Sequence, residues 1–150
     1  MMSDGLELRI RPATAADERM IKATIKRAGL DRTGLNWRNF QVAEDKAGVM
    51  AGLCQVRRYR GVRELGSLYV RPDLRGRGLG GALINVCLAA EQPPVHLECI
   101  EDRQSFYEAH DFQRIPLWEA PPALRIKSMI GTTGAWLLYR KRVIVMVWLG

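Results

Sequence analysis

Four glycines and three arginines stand close together between an apolar segment and an apolar helical pattern, in the stretch VRPDLRGRGLGGAL at residues 70–83. The first amide N–H groups of a helix lack intrahelical partners and lie at the positive end of the helix dipole. Glycines there let a phosphate approach the bare backbone, and Arg75 and Arg77 add positive charge. The alternative is a flexible, solvated turn. The position of the loop between a strand and a helix favours anion binding.

Two common phosphate-binding motifs do not account for this loop. Gly76, Gly78 and Gly81 satisfy the spacing GxGxxG of dinucleotide-binding folds. In those folds the strand runs almost directly into the first glycine, whereas residues 72–75 intervene here, and too little chain follows for the remaining βαβ units. A P-loop carries Lys-Ser or Lys-Thr after its last glycine, and neither follows Gly80 or Gly81. A phosphate in this loop therefore requires another fold.

The segments before the loop predict strands and one helix. LELRIRP alternates as a strand does, Thr14 opens the capping-box sequence TAAD, and Gly29 is well placed to end the helix that follows. GLNWRNF is compatible with a short helical turn. From Gln41 onward, strand-like segments separated by the turns DKAG and RGV predict an antiparallel meander that ends in RELGSLYV.

The segments after the loop alternate between helix and strand. Apolar residues from Leu79 to Ala90 repeat at helical spacing until Pro93 stops the helix. We predict a buried strand in VHLECI, a helix in RQSFYEAHDF, a strand near residues 113–118 and a last strand in RVIVMVW. We interpret EAPPALRIKSMIGTTG as a proline-containing connection. The predicted fold class is α/β with a mixed sheet.

Size and charge limit the classes of protein. A chain of 150 residues, 47% of them hydrophobic, can bury the core of one domain, and we expect a single domain over residues 1–150. The net charge of +7 is spread along the chain without a recognised nucleic-acid motif, which indicates a solvated surface. The chain begins without a signal-peptide pattern, and basic residues 140–142 divide its apolar tail into pieces too short to span a bilayer. We therefore expect a cytoplasmic protein without a membrane partner.

The residue types that ligate metals are not arranged as a metal site. Cys54, Cys87 and Cys99 stand in apolar runs without CxxC spacing, which is typical of reduced thiols packed as small hydrophobic residues. His96 and His110 have no metal-ligand spacing, and packing or surface roles are expected for both. We therefore expect no metal.

Two motifs together resemble the signatures of the GNAT superfamily of acyl-CoA-dependent N-acyltransferases. RGRGLG, at Arg75–Gly80, is similar to the R/Q-x-x-G-x-G/A signature of that family, after a strand ending LYV and before a helix. SFYEAHDF, at residues 105–112, resembles the second signature, although Asp111 stands where glycine is usual and a left-handed backbone tends to be needed. The resemblance is strongest over residues 41–112. It implies a mixed, mostly antiparallel sheet of about six or seven strands flanked by helices.

The same resemblance implies that acetyl-CoA is the cosubstrate. The pyrophosphate of coenzyme A would be held by the backbone of the loop, at Arg75, Gly76, Arg77, Gly78, Leu79 and Gly80. The pantetheine arm would pair with the end of the preceding strand, at Leu68, Tyr69 and Val70. Such pairing is physically sensible because a splayed strand has unpaired N–H and C=O groups that an amide-bearing arm can satisfy.

The resemblance also implies catalytic residues. Acyl transfer to an amine needs a base for the ammonium proton, N–H donors for the oxyanion and a donor for the leaving thiolate. The Val70 amide is the oxyanion candidate, Tyr107 aligns with the tyrosine that many members place beside the thioester sulfur, and Glu64 is the base candidate. The alternatives are a packing role for Tyr107 and a solvated strand end for Glu64, with a water chain as the base. Glu98 and Glu101 are weaker candidates for the base.

The implied function is transfer of an acetyl group from acetyl-CoA to a primary amine by direct attack in a ternary complex. The acceptor would be a small molecule or a peptide, no nucleic-acid partner is expected, and the sequence is compatible with a monomer or a homodimer. Two alternatives are a basic RNA- or ribosome-associated binding module and a non-catalytic domain that senses acyl-CoA. The presence of both Arg75–Gly80 and Tyr107 favours an enzyme.

Overall fold

The structure, a computed structural model, describes residues 2–3 and 6–150, and the side chains of residues 6–130 and 140–150. Its strands are β1 Met2–Ser3, β2 Leu6–Pro12, β3 Phe40–Asp45, β4 Met50–Tyr59, β5 Val62–Val70, β6 Val95–Ile100, β7 Phe112–Ile115 and β8 Val143–Trp148. Its α-helices are α1 Glu18–Ala28, α2 Leu79–Ala89, α3 Gln104–Glu108 and α4 Pro122–Tyr139. These residues form two compact units, one of Met1–Arg57 with Leu65–Ala90 and one of Arg58–Glu64 with Glu91–Gly150.

The first unit is built on strands in the order β1-β2-β3-β4-β5. Each of the pairs β1–β2, β2–β3 and β3–β4 is antiparallel. Ile21 and Ile25 of α1 are fully buried against Phe40, Val42 and Leu53. Apolar burial on this face of the sheet therefore fixes α1 and the strands that lead to the loop.

The ends of α1 are those that the sequence predicts. Thr14 and Asp17 form the capping box, in which the Asp17 carboxylate accepts a hydrogen bond of 2.7 Å from the Thr14 amide. The chain makes a 3₁₀ turn there before α1 begins at Glu18. Gly29 ends the helix with a φ of +68°, the left-handed conformation that glycine adopts without a Cβ penalty.

The second unit combines parallel and antiparallel pairing. Its strands follow the order β5-β6-β8-β7, in which β5 and β6 are parallel with Glu64 opposite His96, whereas β6–β8 and β7–β8 are antiparallel. Val62, Leu124 and Val145 form the buried core of this unit. The sheet is therefore mixed, mostly antiparallel and flanked by helices, which confirms the predicted fold class. None of the described helices has the length and apolarity that a membrane crossing requires.

The prediction of a proline-containing connection at residues 119–134 is wrong. Residues 122–139 form the helix α4, which begins inside that stretch and continues past its end. Glycines and threonines at 131–134 have low helix propensity, so local sequence favours a loop. Pro122 occupies the first position of the helix, where its missing N–H costs nothing, and Leu124 is completely buried. Tertiary packing of the first turns therefore outweighs the weak propensity of the later ones.

Two other predicted elements, one helix and one strand, are longer than those in the structure. The helix predicted in RQSFYEAHDF is limited to Gln104–Glu108, because the chain turns at residues 109–111 and β7 begins at Phe112. The strand predicted near residues 113–118 ends at Ile115, directly before Pro116. Proline cannot donate to the ladder, which accounts for the early end of β7.

Candidate functional site

The end of β5, where the sequence predicts contacts to a cosubstrate, departs from regular strand geometry. Ser67 has a φ of +55°, a left-handed conformation that L residues seldom adopt inside a strand. Leu68, Tyr69 and Val70 follow it and are half-buried. The amide of Arg71 donates a hydrogen bond of 2.8 Å to the Ala51 carbonyl, which ties the end of β5 to β4. A left-handed residue near a strand end re-aims the backbone groups that follow it.

The glycine loop lies between two buried leucines. Leu74 precedes the loop and Leu79 opens α2, and both are almost completely buried, so that the exposed residues 75–78 are anchored at each end. Gly76 has a φ of +75° and Gly78, the N-terminal cap of α2, a φ of +86°. A Cβ added at Gly76 would meet no atom within 4 Å, so space is open beside the backbone there. Left-handed glycines with open space beside the backbone leave the N–H groups at the start of α2 accessible to a ligand.

Gly52 on β4, which sequence reasoning missed, determines how closely α2 approaches the sheet. A Cβ on Gly52 would lie 2.8 Å from the Tyr69 carbonyl oxygen and 3.0 Å from Cδ1 of Leu83. Only a residue without a side chain therefore allows α2, β4 and the end of β5 to pack at this distance. A glycine inside an otherwise regular strand pattern is the sequence signal for such an approach.

The arginines of the loop have different roles. Arg75 Nε donates a hydrogen bond of 2.9 Å to the Val70 carbonyl, and its guanidinium carbon lies 6.0 Å from the centre of the Tyr69 ring. Arg71 donates hydrogen bonds of 2.7 and 2.9 Å to the Asp73 carboxylate, which lowers the pKa of that carboxyl. The structure thus brings the end of β5 and the loop together through Arg75. Arg77 is exposed on the same loop.

Glu64, the base candidate, belongs to the second unit and is buried, with 2% of its side chain exposed. It accepts a hydrogen bond of 2.7 Å from the Tyr59 hydroxyl. Its two oxygens lie 2.8 and 2.9 Å from Lys127 Nζ, on α4. Glu64 is therefore not a solvated strand end. Tyr59 and Lys127 had no sequence signal, because both reach Glu64 only through the fold.

The weaker base candidates have different surroundings. One Glu98 oxygen accepts a hydrogen bond of 2.7 Å from the Ser128 hydroxyl, and the other lies 3.4 Å from Lys127 Nζ. Glu101 is instead a surface residue with 44% of its side chain exposed. His96, opposite Glu64 in the parallel pair, is buried; burial lowers the pKa of its imidazole, and the negative charge of Glu64 opposes that shift.

Tyr107 lies on α3 in the second unit and is half-buried. Its ring contacts Phe106 edge-on with centroids 5.0 Å apart, and Phe112 with centroids 6.0 Å apart. These contacts orient the ring. Asp111, which stands in the usual glycine position of the second signature, has a φ of +64°. The left-handed backbone expected at this position is therefore present.

The described residues contain no group of three or more His, Cys, Asp or Glu side chains that could hold a metal ion. The three cysteines are free, with Cys54 and Cys87 buried and Cys99 half-buried. Burial raises the pKa of the Cys99 thiol to about 11. A thiol in this state is a poor nucleophile near neutral pH, because the thiolate is the reactive form.

Solved structures of similar fold bind coenzyme A. The Mycobacterium tuberculosis protein Rv2747, in complex with CoA and NLQ, is 20% identical with a TM-score of 0.72, over 95% of this chain and 99% of that one. N-acetylglutamate synthase from Neisseria gonorrhoeae, complexed with coenzyme A and N-acetyl-glutamate, is 18% identical with a TM-score of 0.70 over 93% of this chain. The match covers 34% of the synthase, so this chain spans about a third of its length.

A third solved structure extends the likeness of fold to a plant protein. NAA60 from Arabidopsis thaliana, in complex with a bisubstrate analogue, is 13% identical with a TM-score of 0.64, over 95% of this chain and 98% of that one. A search of curated proteins finds no match. The model of the acetyltransferase (GNAT) domain matches residues 36–114, which include the glycine loop, Glu64 and Tyr107 and make up more than half of the chain. This chain belongs to the GNAT family of acetyltransferases.

Proposed function

We propose that this protein transfers an acetyl group from acetyl-CoA to a primary amine by direct attack in a ternary complex. The geometry of the glycine loop carries the proposal. Gly76 and Gly78 have left-handed backbones, the side of Gly76 is open, and buried Leu79 holds the start of an eleven-residue helix behind them. The amide N–H groups and helix dipole at such a start favour a pyrophosphate.

The two parts of coenzyme A make different demands on the first unit. The loop from Arg75 to Gly80 would hold the pyrophosphate, with Arg77 adding charge. The pantetheine arm would lie alongside the end of β5 and pair with the backbone of Leu68, Tyr69 and Val70 like an added strand, which is β-augmentation. The left-handed Ser67 supports this role because it re-aims the backbone directly before these three residues.

The reaction has three points at which side chains or backbone can assist: removal of the ammonium proton, stabilisation of the oxyanion and departure of the thiolate. The ammonium first loses one proton to the base, which frees the lone pair of the nitrogen. The amine nitrogen attacks the thioester carbon, the amide bond forms as the C–S bond breaks, and the second proton that leaves the nitrogen ends on the thiolate, which departs as the thiol. We assign the oxyanion of the intermediate to the Val70 amide, the ammonium proton to Glu64 through water, and the departing thiolate to Tyr107. Free tyrosine has a pKa of about 10 and a thiol about 8.5, so hydrogen bonding to the thiolate is the larger expected contribution of Tyr107.

The acceptor belongs to the class of primary amines, as a small molecule or a peptide. Two solved structures of similar fold were determined with N-acetyl-glutamate and with a bisubstrate analogue, which supports an acceptor that binds together with the cosubstrate. On this proposal residues 1–150 work as one acetyltransferase domain in the cytoplasm. The activity is tested by thiol release from acetyl-CoA with a panel of polyamines, amino acids, aminoglycosides, arylamines and peptide N-termini.

The panel also separates the enzyme from the two other functions. Acetyl-CoA binding without turnover of any amine would indicate a domain that senses acyl-CoA. Nucleic-acid binding that weakens steeply with salt, together with no effect of acetyl-CoA, would indicate a basic RNA-associated module. Thiol release that depends on one amine class would establish the acceptor.

Replacing Gly76 with valine is expected to abolish the thermal stabilisation that acetyl-CoA gives the wild-type protein. A ligand that binds only the native state raises Tm by mass action. The valine side chain would occupy the open space beside the Gly76 backbone, where the phosphate is proposed to lie. The measurement is the Tm of each protein with and without acetyl-CoA.

Gly48 offers a matched control for this variant. Its φ is +77° against +75° at Gly76, and a Cβ there also meets no atom within 4 Å. Gly48→Val should therefore carry a similar backbone strain and lower the Tm of the free protein comparably, yet keep the acetyl-CoA shift. An acetyl-CoA shift that survives in Gly76→Val would show that the loop does not bind the pyrophosphate.

Replacing Arg77 with alanine is expected to raise KM for acetyl-CoA about tenfold and to leave KM for S-acetylpantetheine, which lacks the nucleotide, unchanged. Loss of one phosphate contact of about 1.4 kcal/mol corresponds to this factor. Arg75→Ala should raise KM for both acetyl-CoA and S-acetylpantetheine, because Arg75 also donates a hydrogen bond to the Val70 carbonyl. Arg27, exposed on α1, gives a control for lost charge. Equal effects on both donors in Arg77→Ala would make Arg77 an ordinary surface charge.

A further inference from the structure

A lysine ammonium already occupies the carboxylate that the proposed mechanism uses as its base. Lys127 Nζ lies 2.8 Å from one oxygen of Glu64 and 2.9 Å from the other. The Glu64 side chain is 2% exposed and that of Lys127 is 22% exposed, so the pair is largely shielded from water. An acceptor ammonium that gives its proton to Glu64 must reach these same two oxygens, directly or through one water.

The surroundings of Lys127 Nζ match what a primary ammonium requires. Besides Glu64, the nitrogen lies 3.4 Å from Oε1 of Glu98 and 5.9 Å from the centre of the Tyr59 ring. Carboxylates accept from the N–H groups, and an aromatic face attracts a cation within about 6 Å. We call Glu64, Glu98 and Tyr59 the ammonium cage. All of its members and Lys127 lie in the second unit.

The helix α4, which carries Lys127, contacts the rest of the second unit through polar side chains near this residue. Among the side chains of α4 that the structure describes after Leu124, Lys127 makes an inward polar contact with Glu64 and buried Ser128 makes one with Glu98. Its large apolar side chains at this level face solvent, with Ile126 60% exposed and Ile130 71% exposed. The contacts that hold Lys127 Nζ are charge-assisted ones that another ammonium can replace.

We propose that the ammonium cage binds the primary ammonium of the acceptor and that Lys127 is an internal occupant, which the acceptor displaces. The inference rests on the proposed function, in which Glu64 is the base. It makes Lys127 a determinant of acceptor specificity, because only an amine that binds the cage better than the tethered lysine gains access to Glu64. The apparent acceptor affinity of the wild-type protein is reduced by the fraction of molecules in which the cage is filled.

The cage can be tested as a binding site without any turnover. Lys127→Ala removes three carbons and the ammonium, which together correspond to n-propylammonium. We expect n-propylammonium chloride, at about ten times its Kd, to raise the Tm of Lys127→Ala by about 4 °C. The Tm of the wild type should not change, because its cage is filled. Tetramethylammonium chloride at equal concentration, which has no N–H donor for the two carboxylates, should raise the Tm of Lys127→Ala much less than n-propylammonium does and should leave the wild type unchanged.

Two further variants show where the added ammonium binds. Adding Glu64→Gln to Lys127→Ala should abolish the n-propylammonium shift, because the principal carboxylate is gone. Lys141→Ala removes another lysine of the second unit, which is ion-paired with Asp102 on the surface, and should show no shift. A shift of equal size in Lys141→Ala, or none in Lys127→Ala, would overturn the cage as an ammonium site.

Kinetics with an acetylated amine from the panel then test displacement by the acceptor. Lys127→Met keeps the aliphatic stem and removes the charge, so it also serves if Lys127→Ala does not fold. We expect its KM for the amine to fall about tenfold or more while kcat is at least maintained. A lower kcat with unchanged KM would overturn the inference and make Lys127 a positioning residue for Glu64. If no amine is acetylated, the proposed function fails, and the n-propylammonium shift alone decides whether the cage binds ammonium.

Discussion

Tyr107→Phe is expected to lower kcat about 100-fold or more while leaving the affinity for acetyl-CoA nearly unchanged. The substitution removes one hydroxyl and keeps the ring, whose edge contacts with Phe106 and Phe112 should persist. A positioned acid or hydrogen-bond donor typically contributes about 10²–10⁴-fold to rate. Because the thiolate forms only as the C–S bond breaks, the loss should appear in kcat and not in binding. The measurements are steady-state thiol release and the acetyl-CoA-dependent Tm.

Phe106→Leu provides a packing control for this variant. It disturbs the edge contact to Tyr107 and keeps the hydroxyl. It should therefore lower the Tm of the protein without the 100-fold loss of kcat expected for Tyr107→Phe. Wild-type turnover in Tyr107→Phe would return Tyr107 to a packing role. A parallel loss of acetyl-CoA affinity would mean that the hydroxyl acts in binding, and the assignment to the leaving thiolate would be wrong.

Glu64→Gln is expected to lower the rate about 100-fold near neutral pH and to recover activity as pH rises. At neutral pH the acceptor is an ammonium without a lone pair, so turnover depends on a base; at higher pH free amine replaces it and the base is no longer needed. Acetyl-CoA binding should be intact, because Glu64 is not among the residues proposed to hold the cosubstrate. The measurement is a pH-rate profile, with the acetyl-CoA-dependent Tm recorded for the same protein.

Glu91 gives a control of the same residue type in the same unit. Its side chain is 7% exposed and ion-paired with Arg58, so Glu91→Gln also removes a buried carboxylate from a basic partner. Its pH-rate profile should keep the wild-type shape. Glu64→Gln leaves the Lys127 ammonium without its main carboxylate, so combining it with Lys127→Met separates lost stability from lost catalysis. A profile scaled down equally at every pH would exclude Glu64 as the base.

Local sequence determined the features of this protein that depend on backbone conformation over a few residues. The capping box at Thr14, the left-handed end of α1 at Gly29 and the opening of α2 after the glycine loop were all predictable. Each arises from bonds or steric limits within one turn of chain. The order of strands and helices from β2 to α3 followed in the same way, because alternating and helical apolar patterns specify which face is buried. The two-residue strand β1 is too short to show such a pattern.

Tertiary structure alone decided α4 and the state of Glu64. The propensities of residues 131–134 favour a loop, and the helix exists because the core of the second unit buries its first turns around Leu124. Lys127 meets Glu64 across 63 positions of sequence, and no local pattern encodes a contact of that range. The resemblance to the family could therefore indicate Glu64 as a candidate base. That it is buried and already paired with an ammonium follows only from the packing of a distant helix against it.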